Sequence, residues 1–154
     1  MASIRAAGEG RIGAPAERVY GIIADYRQHH PRILPGAFSG LTVEQGGVGA
    51  GTVIRFTVTL GGRTQHFHQR VDEPQPGRVL TETDLDTGAV TTFSVTPAGE
   101  GASHLRIETA YERGGLRGLV ETLLAPSMLR RLYADEIGHI DRYARAQLTA
   151  GAPA

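Results

Sequence analysis

Between Thr52 and Glu112 apolar and polar residues alternate along the chain, and clusters of turn-forming residues interrupt them roughly every 8–12 positions. A period of two marks strands with one buried face, and short strands at this spacing imply an antiparallel meander. The runs are Thr52 to Leu60, Arg63 to Val71, Arg78 to Asp84, Ala89 to Thr96 and His104 to Glu112. Gly61-Gly62 is a two-residue hairpin signal. Asp72 to Gly77, Leu85 to Gly88 and Pro97 to Gly101 separate the later runs. Leu41 to Gln45 adds a sixth strand, and Ser3 to Gly13 reads as an edge strand. Pro15 to Tyr26 is a short amphipathic helix, with Pro15 and Glu17 suited to its first turn. Pro31 and Pro35 permit at most one helical turn after it. Beyond Gly114-Gly115 the period changes. Leu116, Leu119, Val120, Leu123 and Leu124 share one helical face, and Leu129, Leu132, Tyr133, Ile137, Ile140 and Tyr143 resume it after Pro126. This is a helix of roughly 30 residues, in pieces if Pro126 breaks it.

Composition removes several classes. The chain has 154 residues, 16 basic and 16 acidic side chains, and no cysteine. A disulfide scaffold, a zinc ribbon and a thiol nucleophile are excluded. The neutral charge offers no basic footprint for nucleic acid. No apolar run reaches the roughly 18–20 residues of a membrane span, and Met1-Ala-Ser-Ile-Arg-Ala lacks the apolar stretch of a signal peptide. The expectation is a cytoplasmic single domain over residues 1–148 with a flexible tail at 149–154, acting as monomer or homodimer. All 16 basic residues are arginine. That points to a GC-rich bacterial genome and removes lysine as a Schiff base or general base.

The order strand, short helices, antiparallel meander and long C-terminal helix resembles the helix-grip fold of the START/Bet v 1-like superfamily, specifically the bacterial SRPBCC or polyketide-cyclase-like proteins. The residues that carry it are Ala14-Pro15-Ala16-Glu17-Arg18-Val19-Tyr20 and Ala24-Asp25-Tyr26 at the ends of the first helix. Gly49-Ala50-Gly51-Thr52, Val71-Asp72-Glu73-Pro74 and Phe93-Ser94-Val95-Thr96-Pro97 are the others. The resemblance spans nearly the whole chain. It implies an α+β fold: a curved sheet of six or seven antiparallel strands wrapped around the long helix, with two short helices after the first strand. It also implies a ligand cavity between sheet and helix. These motifs are structural and specify activity poorly, because one fold hosts many functions.

Alternation assigns the faces. With Gly61-Gly62 as the loop, Phe56 pairs with Phe67, Ile54 with Gln69, Thr57 with His66 and Arg55 with His68. Ile54, Phe56, Val58, Gln65, Phe67 and Gln69 then face the concave side, as do Leu105, Ile107, Thr109 and Tyr111. The same logic turns Val79, Thr81 and Thr83 inward, with Thr91, Phe93 and Val95. An apolar wall dotted with Gln, Thr and Tyr fits a small-molecule pocket, although any sheet packed on a helix needs an apolar face. His66 and His68 share a strand face, but Arg55 and Arg70 lie beside them and no carboxylate is spaced to complete a site. No metal and no cofactor is expected. His29-His30 sits near the expected cavity mouth, either as a proton shuttle or as a surface loop with one ring stacked on a neighbour.

Glu136 is the most informative residue. At 100° per residue it lies near the centre of the stripe formed by Leu129, Leu132, Tyr133, Ile140 and Tyr143. A carboxyl there is buried or lines a wet cavity, and burial raises its pKa. It is either an acid or base, or a structural Glu bonded to a sheet tyrosine or arginine. The expected function is binding of a hydrophobic small molecule by Tyr26, Phe56, Phe67, Gln69, Thr91, Phe93, Thr109, Tyr111, Leu129, Tyr133 and Glu136. One alternative is a polyketide cyclase/aromatase or dehydratase using Glu136, His30, Tyr111 and Tyr133. Another is a protein-interaction module of the same fold.

Overall fold

The computed structural model describes residues 3–112 and 125–150. Seven antiparallel strands form one sheet: β1 (Ser3–Ile12), β2 (Phe38–Gln45), β3 (Val53–Leu60), β4 (Arg63–Gln75), β5 (Val79–Asp84), β6 (Val90–Pro97) and β7 (Ser103–Glu112). Their order is β1-β7-β6-β5-β4-β3-β2. β2 through β7 are a meander, as alternation with short turns dictates, and β1 closes onto β7 as the far edge. Helix α1 (Ala16–Ala24) and a 3-10 turn (His30–Arg32) follow β1. Helix α2 (Pro126–Ala150) ends the described chain. This is the helix-grip fold, with a single turn where a second short helix was expected; Pro31 lies within that turn and Pro35 follows it. None of the described helices is long and apolar enough to cross a membrane.

The β3–β4 register is the expected one: Phe56 opposite Phe67, Ile54 opposite Gln69, Arg55 opposite His68. Gly61 and Gly62 both have positive φ, +56° and +79°, the backbone that a two-residue hairpin turn of matching twist requires. Two expectations on the next strands fail for one reason. Asp72 to Gln75 is not a turn but the continuation of β4, and a register shift lies between Asp72 and Gln75. The inward side of β5 is therefore Leu80, Glu82 and Asp84, all buried, while Val79, Thr81 and Thr83 are only partly buried. The parity assigned to β5 from sequence is inverted.

Pro126 marks the start of the C-terminal helix, as its place in the sequence allowed. It is the first residue of α2, where its missing N–H costs nothing. The Leu116 to Leu124 stripe lies outside the described residues. The C-terminal helix runs to Ala150, and the tail beyond it also lies outside. Along α2 the buried residues are Leu129, Leu132, Tyr133, Glu136, Ile140 and Ala144. This face rests chiefly on β1, with lesser contact to α1 and β7. β1 permits close approach because small residues face the helix. A Cβ on Gly8 would meet Cβ of Tyr133 at 2.9 Å, and one on Gly10 would meet Ile137 at 3.2 Å. Asp141 accepts the Gly13 N–H at 2.8 Å, fixing the helix against the end of the strand.

Candidate functional site

With α2 held at the β1 edge, β3 to β6 curve away from it and leave a cleft. The wall is mostly apolar. Phe56 stacks on Phe67 (5.2 Å between centroids) and on Phe38 (5.5 Å), and Phe93 stands edge-on to the His30 ring. Leu129, Leu132 and Tyr133 of α2 face them. The unfilled space is about 740 Å³ counting the part that opens to solvent, yet within the walls there is room for only a few waters. It is a narrow slot.

Polar groups enter it from both the sheet and the helix. β4 supplies Gln69, β5 Glu82 and Asp84, β6 Thr91, β7 Thr109, the turn after α1 His30, and α2 Tyr133 and Glu136. Tyr133 hydrogen-bonds Thr109, which in turn bonds Thr91 at 2.7 Å. Asp84 is consumed locally: its carboxylate accepts the N–H groups of Asp86 and Thr87, the Thr87 hydroxyl and the His68 N–H.

Glu82 and His30 form the next unit. Tyr26 donates to Glu82 Oε1 at 2.5 Å, and its ring stacks on His30 at 4.2 Å. His30 Nδ1 lies 2.7 Å from the Ile23 carbonyl. A carbonyl only accepts, so Nδ1 carries the proton. Burial lowers the His30 pKa to about 4, against a smaller upward pull from the Ile23 bond. The ring is neutral at neutral pH, and its Nε2 presents a lone pair 3.7 Å from Glu82 Oε1. That distance suits an ion pair, but a neutral imidazole cannot form one. Burial pushes Glu82 up to about 7, with the Tyr26 bond pulling the other way.

Glu136 is 3% exposed. Burial holds its carboxyl well above the usual range, and the charge of Glu82 adds to the effect. Its Oε2 has no hydrogen-bond partner among the described residues, nor has Oε1 of Gln69. Neither expected structural partner, a sheet tyrosine or an arginine, is bonded to that oxygen.

Of the residues singled out from sequence, Phe56, Phe67, Gln69, Thr91, Phe93, Thr109, Leu129, Tyr133, Glu136 and His30 line the slot. Tyr26 does not line it but stands directly behind Glu82 and His30. Tyr111 is buried on β7 opposite Ile4 of β1, away from the slot. His30 is both buried and stacked, so the surface-loop reading of that residue is corrected. His29 instead bonds the Tyr143 hydroxyl at 2.7 Å. On the convex side a carboxylate does reach His68: Glu44 of β2 lies 2.8 Å from Nε2 and also accepts from Arg55. Strand spacing could not show that neighbour. Glu82 was missed altogether. Its signal was Leu80, whose position two residues earlier gives Glu82 the apolar parity of its strand.

Residues 3–145 match the family described as Polyketide cyclase / dehydrase and lipid transport. The chain belongs to this family. No curated protein matches it. Among solved structures, KanY protein is 27% identical over 94% of this chain and 99% of its own, with a TM-score of 0.80. TTHA0849 from Thermus thermophilus is 18% identical (97% and 100% covered, TM-score 0.74). Zhui aromatase/cyclase from Streptomyces sp. R1128 is 16% identical (99% and 100% covered, TM-score 0.72). At such identities the last two show the fold alone. Membership in the polyketide cyclase / dehydrase and lipid transport family supports ligand binding or cyclase-type chemistry for this chain.

Proposed function

We propose that the slot between α2 and β3–β6 binds a small, largely apolar molecule and engages a polar group on it. The observation that carries this reading is the pair of orphaned oxygens, Glu136 Oε2 and Gln69 Oε1, in a slot whose lining is mostly apolar. A buried polar atom without a partner costs about 1–3 kcal/mol, and a ligand that supplies the partner recovers it. The aromatic wall of Phe56, Phe67 and Phe93 takes the apolar body. Because the slot holds little free volume, entry requires side-chain rotation or movement of α2 away from the sheet. Native mass spectrometry of protein purified from its own host tests this: an adduct of a few hundred daltons, lost on denaturation, is the expected result. Wild type that carries no adduct and takes up no apolar aromatic compound contradicts it.

A second reading has its own support. Glu82, near neutral pKa, faces the lone pair of a neutral His30, and the Glu136 carboxyl, its pKa raised by burial and by Glu82, enters the same slot. Two carboxyls and an imidazole whose environments set different protonation states are the equipment of acid–base chemistry on a bound carbonyl compound. If Glu136 serves as acid or base, Glu136→Gln leaves binding in place while turnover falls by roughly 10²–10⁴.

A further inference from the structure

Resting on the reading of the slot as a binding site, we propose that it selects an apolar amine, taken up as its ammonium, over neutral and anionic molecules of the same shape. The chain contains no lysine. Among the described residues that line the slot there is no arginine, and the titratable ones are His30, Glu82, Asp84, Tyr133 and Glu136. Tyr26 faces Glu82 from behind. Each has been accounted for. Asp84 is spent on its turn, Tyr133 on Thr109, Tyr26 on Glu82, and Nδ1 of His30 on Ile23. What remains open to a ligand is Gln69 Oε1, Glu136 Oε2, the lone pair at His30 Nε2, and Glu82.

Three of these four sites are acceptors as they stand, and the fourth becomes one when Glu136 ionises. A carboxylate or phosphate ligand meets no cation among the described lining residues, and its charge faces the Glu82 carboxyl. An alcohol satisfies one orphan. An ammonium brings three donors and a positive charge on one compact group. It relieves the orphaned oxygens and offsets what disfavours the Glu136 carboxylate, burial first and the neighbouring charge of Glu82 second. The proton balance is closed. Glu136 starts as the acid, the cation enters as R–NH3⁺, and the carboxyl O–H breaks with its proton released to solvent. The ion pair that remains carries no net charge. Each ammonium bound thus releases up to one proton, or more if Glu82 follows.

The test uses three probes of matched shape: 2-phenylethylamine, 2-phenylethanol and phenylacetate. Titration calorimetry near pH 7 in buffers of different ionisation enthalpy reads affinity and proton release together. The amine is expected to bind at least about tenfold tighter than the alcohol, with phenylacetate weakest. Proton release is expected for the amine alone, its affinity rising with pH from 6 to 8. In Glu136→Gln the advantage of amine over alcohol falls toward parity. The proton count on wild type needs no variant and stands even if that protein folds poorly. Alcohol binding as tight as amine, or amine binding without proton release, overturns the charge selection while leaving a small-molecule site in place. Binding of none of the three overturns both.

Discussion

Glu82 and His30 stand 3.7 Å apart and pull the pH dependence of stability in opposite directions. Glu82 has a folded pKa of about 7 against an ordinary 4.5. Between those values the folded protein keeps a proton that the unfolded chain has lost. The stability conferred by the protonated carboxyl is complete below about pH 4.5 and is lost as pH rises through 7, by about 3 kcal/mol. His30 runs the other way: its folded pKa of about 4 lies below the ordinary 6.5. Its contribution is present above 6.5 and is lost as pH falls through 4. Where the two windows overlap they largely cancel, and Glu136, also raised, adds a further decline with rising pH. The expected outcome is specific to Glu82→Gln. Between pH 4.5 and 7.5 wild type loses about 3 kcal/mol more than the variant in urea unfolding. Equal losses in the two proteins would show that the Glu82 carboxyl is not held protonated by burial.

At the scale of elements, the β3–β4 hairpin separates a structural face from a solvated one. Phe56→Ala or Phe67→Ala removes half of a stacked, buried pair, and a loss of about 3–5 kcal/mol is expected. Arg55→Ala touches only an exposed pair with Glu44, worth at most about 1 kcal/mol. Guanidinium midpoints in the opposite order would place the wrong face of the hairpin inside. This hairpin was legible because two glycines fix its loop, and loop length fixes register. Glu136 was legible because helical phase carries across three turns without error. β5 was not, since a bulge in β4 adds a residue that nothing in Asp72-Glu73-Pro74-Gln75 distinguishes from a turn, and one residue inverts a strand. His30 was half legible. Its place between α1 and Pro31 follows from sequence, but its burial depends also on Phe93 arriving from a distant strand to meet the ring that Tyr26 stacks on locally.

For the whole molecule, the position of α2 decides where empty space can exist. Tyr133 and Glu136 reach the slot only because the turn of α2 that carries them lies almost in contact with the Gly8 backbone. Gly8→Val forces branched carbon against Cβ of Tyr133. Overpacking of this kind typically costs about 1–3 kcal/mol. Here the expected result is also a displaced helix: a changed environment for Tyr133 in near-ultraviolet circular dichroism, and altered uptake of 2-phenylethylamine. Substitution with neither effect would show that α2 is not positioned by this contact. The arrangement is that of a vice with one fixed jaw. β1 and α2 are clamped together through two absent side chains, while the strands across the slot, β3 to β6, share no comparable contact with the helix. An occupant that needs more room therefore meets less resistance on the side of β3 to β6 than at the clamped edge, where Asp141 also ties the helix to Gly13.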